Sequence, residues 1–254
     1  MKNRLLLLPL FFASAFILPG FQKPFTTDQK KGTVKITFIN TVKGNRIVLN
    51  TFNYTNPFGE QYTISKFKYH ISHVSIASDI NKNTEKESYH LIDESNPASL
   101  SFSFPAAVNT YESVLLLLGV DSLKNVSGAQ SGALDPLNDM FWTWNSGYVM
   151  AKMEGKSTQS KVVNNKVEFH IGGFSGVNTV LKNIRLNFPA GKKLDIRAGK
   201  TSEVIIEADF NTWWQDPNDI RIVENPICTV PGALAKKIAD NYSKMFTIKD
   251  IINN

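Results

Sequence analysis

Short runs of alternating apolar and polar residues recur along this chain, and that period limits the folds open to it. Val34, Ile36 and Phe38 alternate with polar neighbours, as one face of a half-buried strand does. Ile47, Leu49 and Thr51 continue the pattern after the turn Lys43-Gly44-Asn45. Further strands are predicted at Tyr62–Ile64, 67–76, 100–104, 148–154, 167–174, 180–188, 193–197 and 204–208. Within 67–76, alternation puts Tyr69, Ile71 and His73 on one face and His70, Ser72 and Val74 on the other. Val114 to Leu118 is apolar without a break, the mark of a central strand covered on both faces. Near the end the period changes. Leu234, Ile238, Tyr242 and Met245 are spaced by three or four, which predicts an amphipathic helix of about four turns, opened by Pro231 and capped by Thr229. About ten short strands and one late helix make this chain mainly β, an antiparallel β-sandwich with a C-terminal amphipathic helix. No repeat or linker divides it, so residues 33–254 read as one domain.

The first residues stand apart. Lys2 and Arg4 precede an uncharged apolar run from Leu5 to Leu18, which Pro19-Gly20 ends. This predicts a secretory signal peptide over residues 1–22. The run is too short for a comfortable membrane span, and no second one follows. The expected location is outside the cytoplasm, in the periplasm. Cys228 is the single cysteine, so no internal disulfide forms and packing must hold the fold. The absence of a cysteine near the leader's end also excludes a bacterial lipoprotein anchor. With Ile227 and Val230 beside it, Cys228 is expected to be a buried thiol. The formal charge of +6 is spread over the chain. No basic block is interleaved with aromatics, which argues against nucleic acid as a partner.

Residues 132–148 gather Met140, Phe141, Trp142, Trp144 and Tyr148. Asp135 is expected to cap a short turn that starts at Pro136. As an extended step, Trp142-Thr143-Trp144 puts both indoles on one face. Such a cluster either anchors a core or lines a site. Trp213-Trp214 is a second candidate, for a sugar or partner surface, although adjacent strand residues face opposite ways and one should be core. Signatures of phosphate loops, nucleophile elbows and zinc proteases are absent. No nucleophile–base arrangement is visible, and the chain is not read as an enzyme. The pairs Asp135/Asp139 and Asp216/Asp219 could hold Ca²⁺ or serve as an acid/base pair, but neither matches a calcium loop, and they read better as turn and cap residues.

Of the four histidines, His70, His73, His90 and His170, the last stands out. It lies in a strand between apolar neighbours, before Gly172-Gly173, where another group can come close. If 148–154 and 167–174 pair as a hairpin, His170 falls opposite the Tyr148–Met150 region, within about two positions. An imidazole beside indoles and methionine thioethers suits copper better than Mg²⁺ or Ca²⁺.

The run Met140-Phe141-Trp142-Thr143-Trp144-Asn145-Ser146-Gly147-Tyr148, preceded by Asp135-Pro136-Leu137-Asn138 and followed by Phe169-His170-Ile171-Gly172-Gly173, resembles the MbnP-like domain family. These are periplasmic copper-binding proteins associated with methanobactin operons. Phe67-Lys68-Tyr69-His70-Ile71-Ser72 and Leu91-Ile92-Asp93 share the likeness, which covers residues 33–250. The resemblance implies a secreted β-rich protein that binds one copper ion through two histidines and a kynurenine. The kynurenine comes from a tryptophan oxidised by a di-haem partner enzyme related to cytochrome c peroxidases. Carried over, Trp142 or Trp144 matches the tryptophan and His170 matches one histidine. The other histidine is missing. Copper-binding members have an Asn-His pair in the loop before the tryptophans, and here that loop reads Leu123-Lys124-Asn125-Val126-Ser127-Gly128. His70, His73 or His90 could replace it only if the fold brings one there; Met140, Met150 and Met153 are other soft donors. The expected metal residues are His170, Trp142, Trp144 and Met140. The alternative is a module that binds a glycan or protein without metal on the same scaffold.

Overall fold

The computed structural model describes residues 30–142 and 147–254. The expected signal peptide and Trp144 lie outside the described residues. The strand Gln61–Ala77 is the spine of the larger sheet. Along one edge it pairs antiparallel first with Gly147–Lys156, through Tyr69↔Ala151, and then with Ser113–Leu118, from Ile71↔Leu118 onward. The other edge carries Tyr89–Asp93 and Lys82–Thr84. The sheet therefore forks at His70. Lys166–Gly172 extends one arm and Lys182–Asn187 the other. Ser113–Leu118 is central, as its unbroken apolar run predicts.

The smaller sheet runs Phe246–Ile252, Thr201–Asp209, Lys31–Val42 and Asn45–Arg46, with Ser101–Ala107 also on Lys31–Val42. The two sheets face each other across one core. Val34, Ile36, Phe38, Val204 and Ile206 meet Phe67, Tyr69, Ile71, Met153 and Phe169 there. Phe38 and Tyr69 pack edge to face with centroids 5.9 Å apart, a preferred geometry for aromatic pairs. The sandwich is as expected, but two of its pairings are parallel, one of them the short contact of Lys166–Gly172 with Ile227–Cys228. Lys31–Val42 and Thr201–Asp209 pair in parallel from Thr33↔Thr201 to Thr41↔Asp209. Period two is identical in both orientations, so alternation alone does not reveal strand direction.

Several local expectations change. His73 has φ +54° within a register shift between Ser72 and Ser75. That bulge turns His73 to solvent and Val74 into the core, which breaks the alternation read from sequence. Leu49 to Thr51 forms a turn, Ile47 and Val48 have no regular structure, and only Asn45–Arg46 pairs as strand. The late helix is Ala233–Tyr242, shorter than four turns, with Gly232 and not Thr229 at its N-cap. It buries Ala235, Ile238, Ala239 and Tyr242, and the chain then turns into the strand Phe246–Ile252. Trp213 and Trp214 lie on the 3-10 turn Phe210–Trp214, both fully buried. With about three residues per turn, neighbours there need not face opposite ways as on a strand, and this pair leaves no sugar platform. Cys228 is buried as expected, and burial pushes its thiol up to about 11. Among the described residues no helix is long and apolar enough to cross a membrane.

Candidate metal centre

The strands Gly147–Lys156 and Lys166–Gly172 form the anticipated hairpin. His170 faces Lys152, two positions beyond Met150, in a register that runs unbroken from Lys156↔Lys166 to Ala151↔Ile171; the bulge between Val149 and Ala151 lies past His170. Ala151, Met153, Phe169 and Ile171 belong to the main core. Alternation then sends Lys152, Glu154, Glu168, His170 and Gly172 to the outer face of the sheet. Lys66 and Lys68 join them from the spine, where they oppose Glu154 and Lys152.

This outer face is covered. Asp135 accepts a bond from the Leu137 amide and caps the turn Pro136–Asn138, as predicted. Asp139 follows at φ +61°, a left-handed conformation that Asp tolerates. Its carboxylate takes the ammoniums of Lys66 and Lys152, both at 3.0 Å. The Lys152 ammonium also donates to the Asp139 carbonyl, and Lys68 donates to the Asn138 carbonyl at 3.3 Å. Lys152 is only 2% exposed. Burial pushes its pKa down, opposed by Asp139 and Glu154. A buried ammonium is tolerable only when paired, so Lys152 and Asp139 act as a clamp that holds the segment onto the sheet.

Beside the clamp, His170 Nε2 lies 3.0 Å from Glu154 Oε1. Lys66 reaches the other Glu154 oxygen at 3.2 Å. The His170 bond is the main reason that the Glu154 carboxyl is lowered to about 2. Glu168, directly opposite Glu154, takes Lys166 at 2.7 Å. One ligand atom from each of Glu154, Glu168 and His170 lies within 4.8 Å of the others, and all three side chains are half-buried. Two carboxylates and an imidazole at that spacing can hold a first-row divalent ion. Lys66 and Lys166 are the groups such an ion would displace.

Trp142 pairs with Gly147 at the base of the same hairpin. Its ring lies on Gly172: an added Cβ there would land on Cζ3 and come within 2.6 Å of Cη2 and 3.0 Å of the Tyr148 carbonyl oxygen. Trp142 thus covers the strand two residues from His170 on the same face, about 7 Å along it. We expect Gly172→Ala to push the indole off the strand and cost about 1–3 kcal/mol, read as a lower denaturant midpoint and changed tryptophan fluorescence. Met140, Trp142 and Val149 form a buried cluster separate from the main core, with Leu91 against it. Met150 and Met153 belong to the main core, and the Met150 sulfur accepts from the Val120 amide. Trp144 lies outside the described residues.

The remaining histidines do not join the group around His170. His73 bonds Asp121 at 3.1 Å. His90 bonds Glu85 at 2.8 Å and stacks on Phe102. His70 is buried against Tyr148, and neither ring nitrogen has a hydrogen-bond partner. Val126 ends the helix Ser122–Val126 and is 68% exposed. Asn125 beside it is fully buried, bonds the carbonyls of Val120 and Asp121, and accepts from the Tyr148 amide. That loop is tied to the hairpin base but brings no imidazole. Sequence reasoning passed over Glu154, Glu168 and Lys152, and read Asp139 as a turn residue. Counting the hairpin symmetrically opposes the two glutamates once Lys156 and Lys166 are known to close the loop.

No curated protein matches this chain in sequence. Its structure is similar to that of MbnP from Methylosinus trichosporium, with a TM-score of 0.51 and 11% sequence identity, over 75% of this chain and 80% of that one. At that identity the likeness speaks for the fold. The sequence profile of the MbnP family matches residues 31–230, which include the spine strand, the Trp142 segment and the whole His170 hairpin. By that match this chain belongs to the MbnP family.

Proposed function

We propose that this is an exported MbnP-family protein that binds one copper ion on the outer sheet face, at His170 beside Trp142. One observation carries the reading: an imidazole and an indole distant in sequence share one face of one hairpin, with Gly172 giving the indole room. The donors suit the ion, since imidazole binds copper well and two carboxylates converge on it. The bound ion would supply a redox-active centre. The protein's own part is to position His170 by the register of the hairpin and to keep one side of the site dry with Met140, Trp142 and Val149. The charged and apolar pattern of residues 2–18 supports export. The family likeness further suggests that Trp142 or Trp144 is oxidised to kynurenine by a di-haem partner related to cytochrome c peroxidases. The intact mass of the protein from its own host would read this as one carbon exchanged for one oxygen.

Protein purified from its own host, stripped with a chelator and titrated with copper, should bind one equivalent. His170→Ala should cost more than the roughly 10–100-fold lost when a group merely supporting a ligand is removed. A natively made protein that takes up no copper ends this reading. Glycan or protein binding that chelators leave unchanged would replace it with the metal-free alternative.

A further inference from the structure

We propose that Glu154 and Glu168 are ligands beside His170, in place of the imidazole that Val126 does not supply, and that they make the site selective for divalent copper over Cu(I). This rests on the copper reading above and names its donors. Glu154 and Glu168 are directly opposed across an antiparallel pair. Like charges in that position repel, and sequences usually avoid them unless something sits between. Here each carboxylate is flanked by a lysine, Lys66 on one and Lys166 on the other. His170 Nε2 stands at Glu154, and all three ligand atoms lie within 4.8 Å of one another. A cation at their common centre would relieve the repulsion and accept an oxygen, an oxygen and a nitrogen.

The type of donor decides the ion. Cu(I) prefers thiolate, thioether and imidazole, whereas Cu(II) takes nitrogen and oxygen and stands at the top of the divalent affinity order. Two thioethers of this hairpin are unsuitable: Met150 and Met153 belong to the main core, and the Met150 sulfur is already an acceptor for the Val120 amide. Met140 is enclosed with Trp142 and Val149. What converges on His170 is carboxylate. Register fixes the glutamates, and Lys66 and Lys166 end flexible stems that can swing away.

The test uses the mature protein, loaded with Cu(II) in one arm and with Cu(I), buffered by a chromophoric chelator, in the other. Calorimetry reads affinity and electron paramagnetic resonance reads the Cu(II) ligands. We expect tighter Cu(II) than Cu(I) binding and a tetragonal Cu(II) spectrum with coupling to a single imidazole. Glu168→Gln and Glu154→Gln should each weaken Cu(II) about tenfold or more and leave the weaker Cu(I) binding unchanged. Lys166→Ala should tighten Cu(II) about two- to fivefold at low salt, the scale of a competing surface ion pair. A gain of affinity is not produced by misfolding, so this variant keeps the test sound if a glutamine variant folds poorly. Retained Cu(II) affinity in both glutamine variants, alongside its loss in His170→Ala, overturns the donor assignment and leaves the copper reading intact. Tighter Cu(I) than Cu(II) binding also overturns it. A wild-type protein that binds neither ion sinks both proposals.

Discussion

Trp214→Ala is expected to remove a large share of the stability of this protein. The ring is fully buried between the sheets, with centroids 4.8 Å from Tyr62, 5.5 Å from Phe210 and 5.7 Å from Phe169. Its Nε1 donates to the Tyr62 hydroxyl at 3.1 Å. Truncating a buried tryptophan costs about 3–5 kcal/mol, out of roughly 5–15 kcal/mol for a typical domain. Equilibrium urea unfolding followed by circular dichroism should show a much lower midpoint with an unchanged slope. Trp214→Phe should fall between the two, because it keeps much of the apolar contact but leaves the Tyr62 hydroxyl without its donor. A Trp214→Ala protein as stable as wild type, but impaired in binding a glycan, would mean that the ring belongs to a surface after all.

That pair shows where sequence reading stops. Alternation is set by the backbone of each strand, so the sandwich and most of its strands were legible. Trp213-Trp214 was read with the same period, but the chain leaves the strand at Asp209. The Asp209 side chain accepts from the Asn211 amide and starts a 3-10 turn. Asp-Phe-Asn was the available signal, and it was local. The parallel pairing of the Lys31 and Thr201 strands was not available, since it depends on chain topology across the whole molecule. The two breaks in the spine's register, at Ser65 and at His73, were equally hidden.

The site divides in the same way. Counting residues back from a loop was enough to bring His170 to the strand after the tryptophans. Its partner is Lys152 because the loop closes at Lys156↔Lys166, a point that the polar run between the two strands does not mark. Glu168 shared a face with His170 in the sequence. Its opposition to Glu154 became visible only with the register. Lys152 was least legible, because a strand lysine reads as exposed. It is buried only because the segment from Gly132 to Trp142 folds over the sheet and offers Asp139.

Acid is expected to weaken this protein mainly through His70 as the pH falls from about 6.5 to 5. The imidazole is 1% exposed, at the fork where the spine changes partners, and it meets Tyr148 edge-on at 5.8 Å. Neither ring nitrogen completes a hydrogen bond. Burial lowers its pKa from 6.5 to about 3, and the His90 carbonyl opposes this with a smaller effect. In the unfolded chain the ring takes up a proton near the ordinary value, whereas in the folded protein it stays neutral until far lower pH. Between those two values the unfolded state binds more protons, so stability falls as pH falls, by about 1.4 kcal/mol per pH unit. The whole interval amounts to roughly 4–5 kcal/mol. Above the ordinary value the effect vanishes. Carboxylates held low in the folded state, such as Glu154 and Asp139, add their own acid loss only once the pH nears ordinary carboxylate values. Urea midpoints for wild type and His70→Leu, measured from pH 8 down to pH 4, separate these contributions. The two should differ by a constant above neutrality, and the wild type should lose ground steadily below pH 6.5. Parallel curves through that interval would mean that the folded protein protonates His70 as easily as the unfolded chain does, and that the ring is not sealed at the fork.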